Sequence, residues 1–76
     1  MRVFDQSFAH PDQASGVRVR VYSLPEGHLV LEERSGTAKV VSTLGLFESG
    51  EAALGRARAR ASELERQRYR ALTPAA

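Results

Sequence analysis

Arginine is the residue type that this sequence sets in a chemically suggestive pattern. Val17-Arg18-Val19-Arg20-Val21-Tyr22 alternates guanidinium and β-branched side chains and closes on a phenol. A guanidinium fork can grip a phosphate or a guanine edge, and an aromatic ring offers a platform on which a base stacks. Arg34 would join Arg18, Arg20 and Tyr22 on the same face of a sheet, beside His28. Catalytic patterns are missing. His10 and His28 are the only histidines, and neither stands in a carboxylate cluster; a metal site needs at least three converging ligands. None of the seven serines lies in a Gly-x-Ser-x-Gly turn, and no Gly-x-x-x-x-Gly-Lys phosphate loop occurs. Two surface histidines, turn glycines and no cofactor are expected, in a protein that is not an enzyme.

The charge is unevenly placed. Ten of the eleven basic residues are arginine, and six lie between Arg56 and Arg70 against Glu63 and Glu65, a local balance of +4. Residues 1–55 hold five basic and seven acidic side chains, a balance of −2. Alanine and glycine are also abundant, which fits a GC-rich coding bias, so the asymmetry carries more meaning than the preference for arginine over lysine.

With 76 residues and no cysteine, a single domain is expected, without disulfides or thiolate metal sites. A core this small supplies about 3–5 kcal/mol unless a partner adds to it. Met1-Arg2-Val3-Phe4-Asp5 has no apolar signal region, and no stretch approaches the roughly 20 apolar residues that span a bilayer. The expectation is a cytoplasmic protein without a membrane partner.

The elements that must position these residues follow from periodicity. Residues 2–9 alternate loosely and read as a strand. His10 to Gly16 is a loop by composition. Residues 17–23 form the clearest strand, Leu24-Pro25-Glu26-Gly27 a turn, and 28–34 the return strand. Ser35-Gly36-Thr37 turns again before a strand over 38–44. A hairpin symmetric about Pro25 sets Tyr22 against His28, Arg20 against Val30 and Arg18 against Glu32. Val17, Val19, Val21, Leu29 and Leu31 then form the core face, while Arg18, Arg20, Tyr22, His28, Val30, Glu32 and Arg34 form the wet one.

Ser49 is a natural helix N-cap, with Glu51 in the first turn where the helix dipole favours it. The periodicity predicts a helix over 50–72, stopped by Thr73-Pro74. Leu54, Ala57, Ala61, Leu64, Arg68 and Leu72 recur on one stripe. Arg56, Arg60, Glu63, Arg66, Gln67 and Arg70 lie opposite it. Such a helix spans roughly 35 Å, against roughly 19 Å for four strands side by side. It should overhang its sheet, and its last turns, with Leu64, Arg68, Tyr69 and Leu72, should form a homodimer contact. The fold class is α+β: an antiparallel meander of three to four strands, then one long C-terminal helix packed on one sheet face.

Leu44-Gly45-Leu46-Phe47-Glu48-Ser49-Gly50-Glu51-Ala52-Ala53 resembles the L-G-x-F-x-(S/T)-x-E-x-A signature of the plant ethylene-response-factor type of DNA-binding domain. Gly16-Val17-Arg18-x-Arg20 resembles that family's first strand, and the likeness covers roughly residues 16–61. It implies a sheet lying in the major groove, with Arg18 and Arg20 reading bases; the family's tryptophans are absent. Phe47, Ser49, Ala53 and Tyr69 also resemble the F-x-S-x-x-x-A helix opening and late tyrosine of bacterial WGR domains, where Arg34-Ser35-Gly36 stands near the position of the Trp-Gly-Arg.

Two functional expectations result. One is a small nucleic-acid-binding module that contacts DNA or RNA through Arg18, Arg20, Tyr22 and Arg34 on the sheet and Arg56 and Arg60 on the helix. The alternative is a protein–protein interaction or assembly module, a homodimer, whose arginines only solubilise it. The sequence presents no small-molecule substrate site.

Overall fold

The computed structural model describes residues 2–36 and 38–72. Its elements are β1 (Arg2–Ala9), β2 (Gly16–Leu24), β3 (Gly27–Ser35), β4 (Val40–Phe47), α1 (Gly50–Arg66) and a two-residue β5 (Arg70–Ala71). The strands form one antiparallel sheet in the order β4-β3-β2-β1-β5, and α1 packs on one of its faces. The α+β class and the meander are as the periodicity predicts. The fourth strand runs later than 38–44, and Thr37 and Thr73-Pro74 lie outside the described residues.

The core lies between sheet and helix. Phe8, Val17, Val19, Val21 and Val30 meet Ala53, Ala57, Leu64 and Tyr69, with Phe4, Leu44, Phe47 and Ala61 at the margin. Alanines on the helix let it settle close to the β-branched layer. Ser49 caps the helix as expected: its Oγ accepts the Ala52 N–H at 3.1 Å.

The hairpin register differs from the symmetric expectation. Leu24 pairs with Gly27, so the turn is the two residues Pro25-Glu26, and Val21 pairs with Val30, Arg20 with Leu31, Val19 with Glu32 and Arg18 with Glu33. The pairing is shifted by one residue, and a strand's side chains change face with each such step. His28, Val30 and Glu32 therefore face the helix, and Leu29 and Leu31 face away from it. Gly27 enforces the turn. Its φ of +144° is one that side chains rarely adopt, and a Cβ there would lie 2.8 Å from the Phe47 carbonyl oxygen.

The helix also ends earlier than its periodicity predicts, after 17 residues rather than at 72, giving a length of about 25 Å. The Tyr69 N–H donates to the Leu64 carbonyl and the Arg68 N–H to that of Glu65, both at 3.0 Å, and Arg68 takes φ 74°. This is a Schellman closure with Arg68 in the left-handed position where glycine is usual. Its accompanying apolar contact is Leu64 with Tyr69, both buried. The chain then turns back along β1, where Leu72 N–H donates to the Ser7 carbonyl at 2.8 Å. The expected overhang is replaced by a return strand.

Candidate interaction surface

Glu32 and Arg60 meet between β3 and α1. The Arg60 Nε donates to Glu32 Oε1, its Nη2 to Oε2 at 3.4 Å and its Nη1 to Glu63 at 3.1 Å; Arg34 Nε reaches Glu32 Oε2 at 3.1 Å. Burial alone would raise the Glu32 pKa, but the hydrogen bonds from Arg60 and Arg34 outweigh it and hold the carboxyl below its ordinary value. The same pairing, led by the hydrogen bond to Glu32, raises Arg60. The Arg60 side chain is only 12% exposed, so it belongs to the sheet-facing flank of the helix and not to the opposite side. Arg56 lies 3.9 Å from Glu63.

The other sheet face has no covering element among the described residues. On its β1–β2 half the arginines are engaged by carboxylates. Arg18 grips Asp5 with two hydrogen bonds, 2.7 Å from Nε and 2.5 Å from Nη2, and that hydrogen-bonded pairing raises the Arg18 pKa. Arg20 donates to Glu33 at 2.6 Å and to the Tyr22 hydroxyl at 2.9 Å, with its guanidinium carbon 5.6 Å from the Tyr22 ring centre. Lys39 completes the chain by reaching Glu33 at 3.1 Å; its hydrogen bond, helped by Arg20 and Arg18, lowers the Glu33 pKa. Charges that neutralise one another across strands give little net attraction for a polyanion.

The β3–β4 half of this face is largely apolar, with Thr43 and Glu33 as its polar members. Leu29 pairs with Leu46, Leu31 with Thr43 and Glu33 with Val41, and facing partners in a ladder share a side. Leu46 is 55% and Val41 51% exposed. The strip continues onto the sheet edge, because β4 is terminal in the strand order and its sequence, VVSTLGLF, holds no charge and no proline. Natural edges usually carry such residues to discourage pairing. The helix starts beside the end of β4, where Gly50 lies near the His28 ring, and finishes near β1 and β5. That diagonal leaves the start of β4 bare, with Val40 54% exposed.

The sequence-predicted residues thus divide. Arg18, Arg20 and Tyr22 do share one open face, but Arg34 is on the helix side with Glu32, and Arg56 and Arg60 line that same side's ionic cluster. The expected dimer residues separate too: Leu64 and Tyr69 are buried in the core, while Arg68 and Leu72 are exposed. Tyr69 is held in place by Gln13, whose Oε1 accepts its hydroxyl at 3.2 Å, and by an edge-on contact with His10 at 5.0 Å. Leu29, Leu31, Val41 and Leu46 were not singled out as a surface by the residue pattern. The short turn Leu24-Pro25-Glu26-Gly27 is the signal that exposes the two leucines, once read as a two-residue connection.

A shallow depression of about 220 Å³ lies beside Ser7, Arg18, Glu33, Ser35 and Leu72. Its serines have no histidine beside them in that lining, and its charged groups are engaged by Asp5, Arg20 and Lys39. Among the described residues no group of three or more His, Cys, Asp or Glu could hold a metal ion, and no helix is long and apolar enough to cross a membrane. No protein-family model, curated protein or solved structure matches the chain.

Proposed function

We propose that the chain is a non-enzymatic protein-interaction module whose contact surface is the apolar half of the open sheet face together with the β4 edge. The observation that carries this reading is the strip formed by Leu29, Leu31, Val41 and Leu46, which runs onto an uncharged terminal strand. Apolar area is what association removes from water, at about 25 cal/mol per Å². The neighbouring ion pairs are already satisfied within the chain and provide a polar rim, as interfaces usually have.

A nucleic-acid contact is the second reading, and one observation favours it. Arg58, Arg66 and Arg70 are exposed, and among the described residues the ion pairs of the helix and the chain after it fall to Arg56, Arg60 and Arg68 instead. This would move any polyanion contact from the sheet to the helix and the chain beyond it. Fluorescence anisotropy with labelled duplex DNA and RNA at two salt concentrations separates the readings. The interaction module gives no binding at physiological salt. Micromolar binding that weakens steeply with salt, is unaffected by Val41→Lys/Leu46→Lys and is lost in Arg18→Gln/Arg20→Gln or Arg58→Gln/Arg66→Gln would overturn it.

A further inference from the structure

We infer that the partner is a second copy of this chain, joined through antiparallel pairing of β4 with β4 into one continuous sheet across a two-fold axis. The inference rests on the interaction-module reading and names its occupant.

The register follows from β4 itself. The ladder to β3 is interrupted at Leu44: Val30 pairs with Gly45 and Leu31 with Thr43. The extra residue resets the alternation, so Val41 and Leu46 share the open face although they are five positions apart, while Val40 and Phe47 share the helix side. Placing the two-fold axis between Thr43 and Leu44 sets Val41 opposite Leu46 of the second copy and Val40 opposite Phe47 of the second copy. Facing residues in an antiparallel pair lie on one side, and in both pairs the faces agree. Each of the three large apolar side chains that β4 leaves more than half exposed, Val40, Val41 and Leu46, then gains an apolar neighbour. The bulge falls on the axis, where both strands depart from regular pairing together.

Charge agrees with this register. Lys39, which holds Glu33 of its own chain and is largely open to water, precedes the strand and Glu48 follows it, so each Lys39 also comes beside Glu48 of the second copy at the two ends of the seam. A register two residues further on sets Val41 against Glu48 and Val40 against Ser49, leaving both valines without an apolar neighbour. The association is isologous and closes after two copies, so the uncharged β4 edge is used up in the pair.

The absence of native cysteine makes a cross-linking test clean. Residues directly opposite in an antiparallel pair have Cα atoms about 4.5–5.5 Å apart, within disulfide reach. Along one strand Val41 and Leu46 are roughly 16 Å apart and cannot bridge within a chain. Under mild oxidation Val41→Cys/Leu46→Cys should convert to a covalent dimer, as should an equimolar mixture of the two single variants, while each single variant alone stays monomeric on a non-reducing gel. Self-linking of Val41→Cys alone, or no link in the double variant, overturns the proposed pairing. If the double variant fails to link while the unmodified chain still sediments as a dimer, the pairing falls and the interaction reading stands. Salt-steep nucleic-acid binding in the anisotropy experiment removes the reading itself.

Discussion

Glu32 is a carboxylate that the fold draws under its helix, and its energetics depend on both guanidinium groups that reach it. Removing one member of a buried pair leaves the other charge poorly solvated. Glu32→Ala should cost about 2–3 kcal/mol in urea unfolding, short of the roughly 3–5 kcal/mol for a fully enclosed pair, because Arg34 and Glu63 are open to water. Glu32→Met/Arg60→Met should be close to neutral, since well-packed apolar replacements of a buried ion pair often are. Acid unfolding supplies the complementary reading. The folded carboxyl has a lowered pKa and so binds fewer protons than the unfolded one; its contribution is present above the unfolded value of about 4.3 and is lost as pH falls through the folded value. Glu32→Gln should flatten the acid limb below about pH 4.3. An unchanged limb would mean that the pair contributes nothing. None of this was readable from Glu32 alone. Its face is decided by the turn at Pro25-Glu26, and the symmetric register places it on the wet side.

At the scale of elements, the strands and the helix start were legible because their signals are local. Val17 to Val21 alternates strictly, and Ser49 stands where a cap must be. The helix end was not legible, because the alanine, leucine and arginine periodicity continues past Arg66 and no glycine marks the stop. What ends the helix is tertiary: Tyr69 gains burial against Leu64 and a partner in Gln13, and this outweighs the left-handed conformation imposed on Arg68. That conformation costs roughly 1 kcal/mol outside glycine. Arg68→Gly should therefore stabilise the fold by up to about 1 kcal/mol, less the entropy glycine adds to the unfolded chain, whereas glycine inside a continuing helix would cost about as much. Leu64→Ala should destabilise by about 2–5 kcal/mol as a core truncation. Thermal melts check this account of the helix stop: a destabilising Arg68→Gly would contradict it.

At the scale of the whole molecule, the two faces of the sheet have different roles. One is closed by the helix. The other is neutralised by ion pairs that run from β1 to Glu33 of β3 and is largely apolar over the rest of β3–β4. Arg18, Arg20, Arg34, Arg56, Arg60 and Arg68 are drawn into ion pairs within the chain; their spacing alone pointed toward a polyanion because most of those carboxylate partners come from other elements. The β4 edge was hidden for the same kind of reason: its exposure depends on strand order and on the diagonal path of the helix, and neither is a property of any short stretch of sequence. Sedimentation velocity over a wide concentration range tests association through β4, using the unmodified 8.3 kDa chain beside Val41→Lys/Leu46→Lys. The unmodified chain should shift to twice its mass as concentration rises, while the double variant stays folded and monomeric throughout. A chain that stays monomeric at every concentration, or a dimer that the two lysines leave intact, would contradict that association.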